Sequence, residues 1–179
     1  MQIFADKIFD KPIEQIIAFD NKSFKEAFLR LEFLQKQPGL YLLGYIRYEA
    51  KSIFLGEKIK SDMPLLYFEV YNRCRNFEIT SSKMQPELLI TNRIDYKKYK
   101  KAIACIKDEI ACGNTYQVNY TYDWDVEAPV GGFELYSAIL PNQKTPYNSY
   151  IKNQWEEILS FSPELFFELE GGKILTKPM

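Results

Sequence analysis

Between Tyr116 and Trp124 the chain reads YQVNYTYDW, an unbroken two-residue alternation. Tyr116, Val118, Tyr120, Tyr122 and Trp124 fall on one side, and Gln117, Asn119, Thr121 and Asp123 on the other. A period of two is that of a β-strand and not of a helix, so an all-helical fold is excluded and a strand with one aromatic and one polar face is predicted. Further strands are predicted at Leu40–Tyr48, with Gly44 inside, and at Leu65–Tyr71, Tyr147–Ile151, Glu157–Phe161, Leu165–Leu169 and Lys173–Thr176. Gly171-Gly172 supplies a hairpin turn between the last two.

Helical spacing marks three segments. Phe24, Phe28, Leu31 and Leu34 follow Ser23 and Glu26, which are spaced as a capping box, and Pro38-Gly39 is the stop. From Asp95, a plausible N-cap, to Cys112, the residues Tyr99, Ile103, Ile106 and Ile110 form an apolar stripe that Gly113 ends. Phe133–Leu140 reads as a short amphipathic helix. Antiparallel strands with a few helices on one side make an α+β layout.

Composition removes whole classes of function. None of the 179 residues is a histidine, so Ser-His-Asp and Cys-His catalysis and His-ligated metals are out. Lys plus Arg is 23 against 24 for Asp plus Glu, a net charge of −1, which is no footprint for a nucleic acid. The cluster Lys97, Lys98, Lys100 and Lys101 is then read as a solvated helix face. Cys74, Cys105 and Cys112 have no CxxC spacing, and the last two are expected as small apolar side chains on one helix face. No stretch approaches the roughly 20 apolar residues of a membrane span, and the N-terminus has no leader pattern. A cytoplasmic protein of one domain is expected.

Three features carry candidate chemistry. The polar side chains of Gln117, Asn119 and Thr121 suit either a pocket wall or the wet face of a half-exposed sheet. In Ser160-Phe161-Ser162-Pro163-Glu164, Pro163 interrupts the ladder and Glu164 lies between two apolar runs. Partial burial there would raise its pKa toward that of a general acid, and the alternative is an exposed turn carboxylate. Pro141 and Pro146 bracket a loop through Lys144. Asp123, Asp125 and Glu127 read equally well as a charged turn edge, and no P-loop or metal-ligand cluster is present.

Several segments resemble motifs of the chorismate-utilising enzymes. Gly113-Asn114-Thr115-Tyr116-Gln117-Val118-Asn119-Tyr120-Thr121 resembles that family's G-[DN]-x-[YF]-Q-V-N-x-[ST] segment, with the Tyr96–Cys112 helix just before it. Thr145-Pro146-Tyr147-Asn148-Ser149-Tyr150 resembles its x-P-[YF] strand, and Ser160-Phe161-Ser162-Pro163-Glu164-Leu165-Phe166 its S-x-S-P-E segment. Ile174-Leu175-Thr176-Lys177-Pro178-Met179 resembles its I-x-T-[RK]-P-[IM] segment, and Gly44-Tyr45-Ile46-Arg47-Tyr48-Glu49-Ala50 adds a weaker match.

The resemblance implies an antiparallel β-sandwich with outer helices, here truncated: residues 1–179 would be the N-terminal part of one chorismate-binding domain, with the C-terminal half absent. It implies Glu164 and Gln117 as catalytic residues, Asn119, Thr121 and Ser162 as substrate-binding, and Pro146, Tyr147 and Asn148 as a tryptophan-like pocket. Magnesium is implied as cofactor, with its ligands in the absent half and none here. The implied partners are chorismate, ammonia from a glutamine amidotransferase subunit, and neither nucleic acid nor membrane.

Gln117 stands where the water-adding branch carries a lysine, which points to the ammonia-using branch, because an amide is no base near pH 7. Within it, Pro146-Tyr147-Asn148-Ser149 and the lack of Leu-Leu-Glu-Ser favour the aminodeoxychorismate branch of p-aminobenzoate and folate synthesis over the anthranilate branch. There a lysine attacks C2 of chorismate, and the position deciding between lysine and alanine would follow Met179. A non-catalytic module that keeps only the binding half is the alternative outside catalysis.

Overall fold

A computed structural model describes residues 1–78, 85–143 and 145–177. The expected loop residue Lys144 and the terminal Pro178 and Met179 lie outside the described residues. The rest falls into two compact units, one within Met1–Lys83 and Gly132–Met179, the other within Met84–Gly131.

The first unit opens with β1 (Gln2–Phe4) and β2 (Lys7–Phe9), an antiparallel hairpin turned at Ala5, whose φ is 50°. Then come β3 (Glu14–Ala18), α1 (Asn21–Leu34), β4 (Tyr41–Ile46), a 3-10 turn at Tyr48–Ala50, α2 (Lys51–Phe54), β5 (Leu66–Tyr71) and β6 (Arg75–Asn76). The second unit holds β7 (Leu89–Asn92), α3 (Tyr96–Ala111) and β8 (Asp125–Glu127). The first resumes with α4 (Gly132–Ile139), β9 (Tyr147–Lys152), β10 (Glu157–Ser162), β11 (Leu165–Glu170) and β12 (Lys173–Lys177). Every strand pairing among the described residues is antiparallel, in sheets ordered β10-β9-β1-β2-β6, β3-β5-β4, β11-β12 and β7-β8.

β5 is the centre of its sheet, and five of its six residues are buried. That is why its sequence, LYFEVY, is nearly all apolar: a strand covered on both faces loses the alternation of a half-exposed one. Phe24, Ala27 and Leu34 of α1 pack with Ile16, Ala18, Leu66 and Val70 into one core. Each large apolar side chain fully buried there contributes about 1.5–3 kcal/mol. A second core joins Ile3 of β1, Tyr136 of α4 and Tyr150 of β9, with Phe161 stacked on Tyr136 at 5.4 Å between ring centroids.

Several expectations need correction. The first helix has its capping box at Asp20 and Ser23, not at Ser23 and Glu26: Asp20 is the N-cap, its carboxylate accepts from Ser23 N–H at 2.8 Å, and the Ser23 hydroxyl accepts from Asp20 N–H at 3.1 Å. A carboxylate is the better acceptor for the orphan donors of a helix start. Cys105 and Cys112 are exposed free thiols, not covered apolar side chains.

The Tyr116–Trp124 strand is absent, and its residues form no ladder; pairing starts only at Asp125. The alternation is nonetheless expressed, since Tyr99 of α3 lies 6.0 Å from both Tyr120 and Tyr122, and Tyr122 lies 6.2 Å from Trp124. Sequence period sets which side chains share a face, whereas a strand also needs a neighbour to accept its backbone hydrogen bonds, and none is present among the described residues. Among those residues, no helix is long and apolar enough to cross a membrane.

Candidate functional site

The first unit gathers part of the expected site at one end of the β9–β10 hairpin. Register places Tyr147 directly opposite Ser162, with Pro146 just before the one and Pro163-Glu164 just after the other. Pro163 cannot donate to a ladder, so β10 stops there. The Ser162 hydroxyl closes the turn, accepting from Glu164 N–H at 3.3 Å and donating to Glu164 O at 3.0 Å. Glu164 is exposed, which corrects the expectation of partial burial. The apolar runs on either side of it are strands, β10 and β11, and a carboxylate at the bend between them projects into solvent.

Asn148 is buried on the opposite face of β9 from Tyr147, as strand alternation requires. Its amide is held at both ends, with Oδ1 accepting from the Tyr136 hydroxyl and Nδ2 donating to Thr145 O at 2.8 Å. Burial pushes the Tyr136 phenol up to about 12. Pro146 and Asn148 line a shallow recess of about 330 Å³ with Ala5, Asp6 and Leu140.

The second unit carries the remaining candidates. Gln117 and Asn119 share a face, as the two-residue spacing demands, and Gln117 Nε2 donates to Asn119 Oδ1 at 3.3 Å. Gln117, Asn119 and Thr121 are all exposed. α3, which precedes them, begins where expected: Asp95 caps it by accepting from Lys97 N–H at 2.7 Å, and Gly113 follows at φ 77°. Its four clustered lysines are solvent-facing.

Two polar clusters escaped the sequence reading. Glu69, 4% exposed, accepts from Gln2 at 2.8 Å, Gln15 at 2.8 Å and the Tyr67 hydroxyl at 2.7 Å, and from the Tyr71 hydroxyl. Burial alone would raise its pKa, but the donors from Tyr71, Tyr67 and Gln15 together outweigh that and hold it below the ordinary value. A signal existed in Tyr67-x-Glu69-x-Tyr71, which puts three hydrogen-bonding side chains on one strand face. Gln15 is the cross-strand partner of Glu69. In the second cluster Glu156 receives the Tyr45 hydroxyl and both Arg47 contacts, tying β4 to the β9–β10 turn. Burial, with the Glu156 hydrogen bond, pushes the Tyr45 phenol up to about 12.

No group of three or more His, Cys, Asp or Glu side chains suited to a metal ion occurs among the described residues. These residues therefore do not by themselves fit a magnesium site.

Comparison with known proteins supplies the rest. A family model described as chorismate binding enzyme matches residues 69–179. The anthranilate synthase component I-like protein of Synechocystis sp. is 28% identical over 101 residues, which are 55% of this chain and 21% of that protein. Aminodeoxychorismate synthase component 1 of Bacillus subtilis is 26% identical over 103 residues, 56% of this chain and 22% of that protein. An uncharacterized PabA-like protein of Haemophilus influenzae is 26% identical over 145 residues, 81% of this chain and 40% of that protein. The chain thus spans about a fifth of the first two relatives. No solved structure gives a significant match.

Proposed function

This chain belongs to the chorismate-binding enzyme family, and from that premise we propose that it is the N-terminal part of an aminodeoxychorismate synthase component I. The complete enzyme would replace the C4 hydroxyl of chorismate with an amino group, using ammonia from a glutamine amidotransferase subunit. The likeness to the B. subtilis aminodeoxychorismate synthase and to the PabA-like protein supports this reading. Within the matched segment, an amide, Gln117, stands where the resemblance puts the base of a water-adding enzyme, which favours an ammonia-using one, and Pro146-Tyr147-Asn148-Ser149 favours the aminodeoxychorismate branch of these. The sandwich architecture, the magnesium requirement and a cytoplasmic location belong to the same proposal.

In this reading Glu164 protonates the departing C4 hydroxyl, and Ser162, Asn119 and Thr121 hold polar groups of the substrate. Glu164 is exposed in these 179 residues, and in this proposal residues of a longer chain would cover it. In the complete enzyme, Glu164→Gln should leave chorismate binding intact and cut turnover by about 10²–10⁴-fold. Near-normal kcat in that variant would refute the role.

Anthranilate synthase component I is the second reading, favoured by the Synechocystis relative and by that of Acetivibrio thermocellus, 27% identical over 104 residues. Product identity separates the two.

A further inference from the structure

Two links of the first unit run side by side. Residues 10–13 join β2 to β3, and residues 72–74 join β5 to β6. Pairing fixes their neighbourhood: Ile8 of β2 faces Arg75 of β6, and Glu14 of β3 faces Val70 of β5. Both links therefore cross from one sheet to the other at the same place. Beside them lies a recess of about 220 Å³, lined by Asp10, Lys11, Arg73, Cys74 and Arg75.

Three cations meet one carboxylate there. Arg75 donates to Asp10 at 2.7 Å. That hydrogen bond first, then the fields of Arg75, Arg73 and Lys11, hold the Asp10 carboxyl below its ordinary value against desolvation. Among the described residues, the side chains of Lys11 and Arg73 have no ion-pair or hydrogen-bond partner. The recess thus carries a local charge of +2, three cations against one carboxylate, in a chain of net charge −1. Like charges gathered this way repel, a cost that a bound anion removes. The backbone is a second sign. Lys11 holds φ 56° just before Pro12, where a glycine would be relaxed. Strain is kept together with the ammonium. Lys11, Arg73 and Arg75 are all exposed, so their donors are open to a ligand.

We propose that this recess binds a phosphate group, as the free ion or as the end of a small phosphomonoester. A dianion matches the local charge of +2. Its tetrahedral oxygens can accept from donors set on several sides, whereas a carboxylate brings one charge and two coplanar oxygens. Arg75 keeps donors for the ligand, because only its Nη2 is engaged by Asp10. The recess is smaller than the roughly 300 Å³ at which pockets begin to enclose whole ligands, so it takes the charged group and leaves any remainder outside. None of its residues belongs to the candidate site described above.

The test titrates inorganic phosphate into the intact 179-residue chain at low salt and mildly alkaline pH, with backbone amide resonances as the readout. Phenyl phosphate and acetate are run in parallel. We expect phosphate to shift Lys11, Arg73, Cys74 and Arg75 saturably, and acetate to bind at least about tenfold more weakly. Arg73→Gln and Lys11→Gly should each weaken phosphate about tenfold. Lys11→Gly should also hold the urea midpoint at or above that of the parent chain, because glycine relaxes the backbone, so its lost binding is not lost folding. Lys100→Gln, on the solvent-facing side of α3, should leave phosphate affinity unchanged. Phenyl phosphate binding as tightly as phosphate, or more so, identifies a phosphomonoester as the ligand; weaker binding identifies the free ion. Equal affinity for acetate and phosphate, unchanged affinity in Arg73→Gln or Lys11→Gly, or equal shifts along the lysines of α3 would overturn the proposal and leave ionic screening only.

Discussion

Glu69 concentrates the polar energetics of the first unit in one carboxylate. Its folded pKa lies below the ordinary 4.5, burial pulling it up and the tyrosine and glutamine donors pulling it further down. The stabilisation it contributes is therefore complete above the unfolded value and is lost as pH falls through the lowered folded value. Tyr71→Phe removes one donor, so the folded pKa rises toward the unfolded one. We expect a loss of about 1–2 kcal/mol at neutral pH and an acid-unfolding midpoint displaced to higher pH, measured by urea denaturation across a pH series. An unchanged midpoint would mean that Tyr71 does not hold the carboxylate. The thiols make a simpler test: Cys105 and Cys112 are exposed and Cys74 is partly covered. Alkylation of the native chain should label the first two faster. Of the catalytic residues expected from sequence, Glu164 was legible as a position but not as an environment. Motif and proline marked where it sits, while burial depends on residues distant in the chain.

At the scale of elements, Gly44 shows why a glycine inside an apolar strand is informative. A Cβ there would come within 1.9 Å of Tyr67 O and 2.6 Å of the Phe68 Cα, both backbone atoms of the paired strand. Neither can move without breaking the β4–β5 register, in which Gly44 faces Phe68. Gly44→Ala should therefore destabilise the chain by more than about 3 kcal/mol, read as a lower denaturation midpoint. Wild-type stability in that variant would contradict the close approach. Elements with strong local signals were legible: α3 begins directly after its cap Asp95 and ends two residues before Gly113, and Gly171-Gly172, both at positive φ, turn β11 into β12. The short strands β1, β2, β6 and β7 were not, since two to four residues carry no period and exist only through their partners. The reverse failure is Tyr116–Trp124, with the strongest period in the chain and no ladder.

For the whole molecule, the second unit has no fully buried residue among those described, and Tyr116 is 92% exposed. An aromatic face of that kind is uncommon on a finished monomer surface. We expect a longer chain of this family to cover it and to pair the Tyr116–Trp124 backbone. Amide hydrogens of residues 116–124 should then exchange within seconds in the 179-residue chain and be protected by orders of magnitude in the complete protein. Equal exchange in the two would remove the ground for treating these residues as part of a larger sheet. The proposed reaction is tested most directly by identifying the product. The complete protein is given chorismate and ammonium with magnesium, and the products are separated and weighed by mass spectrometry. The expected product is 4-amino-4-deoxychorismate; formation of anthranilate, isochorismate or salicylate, or no consumption of chorismate, would contradict the proposed reaction.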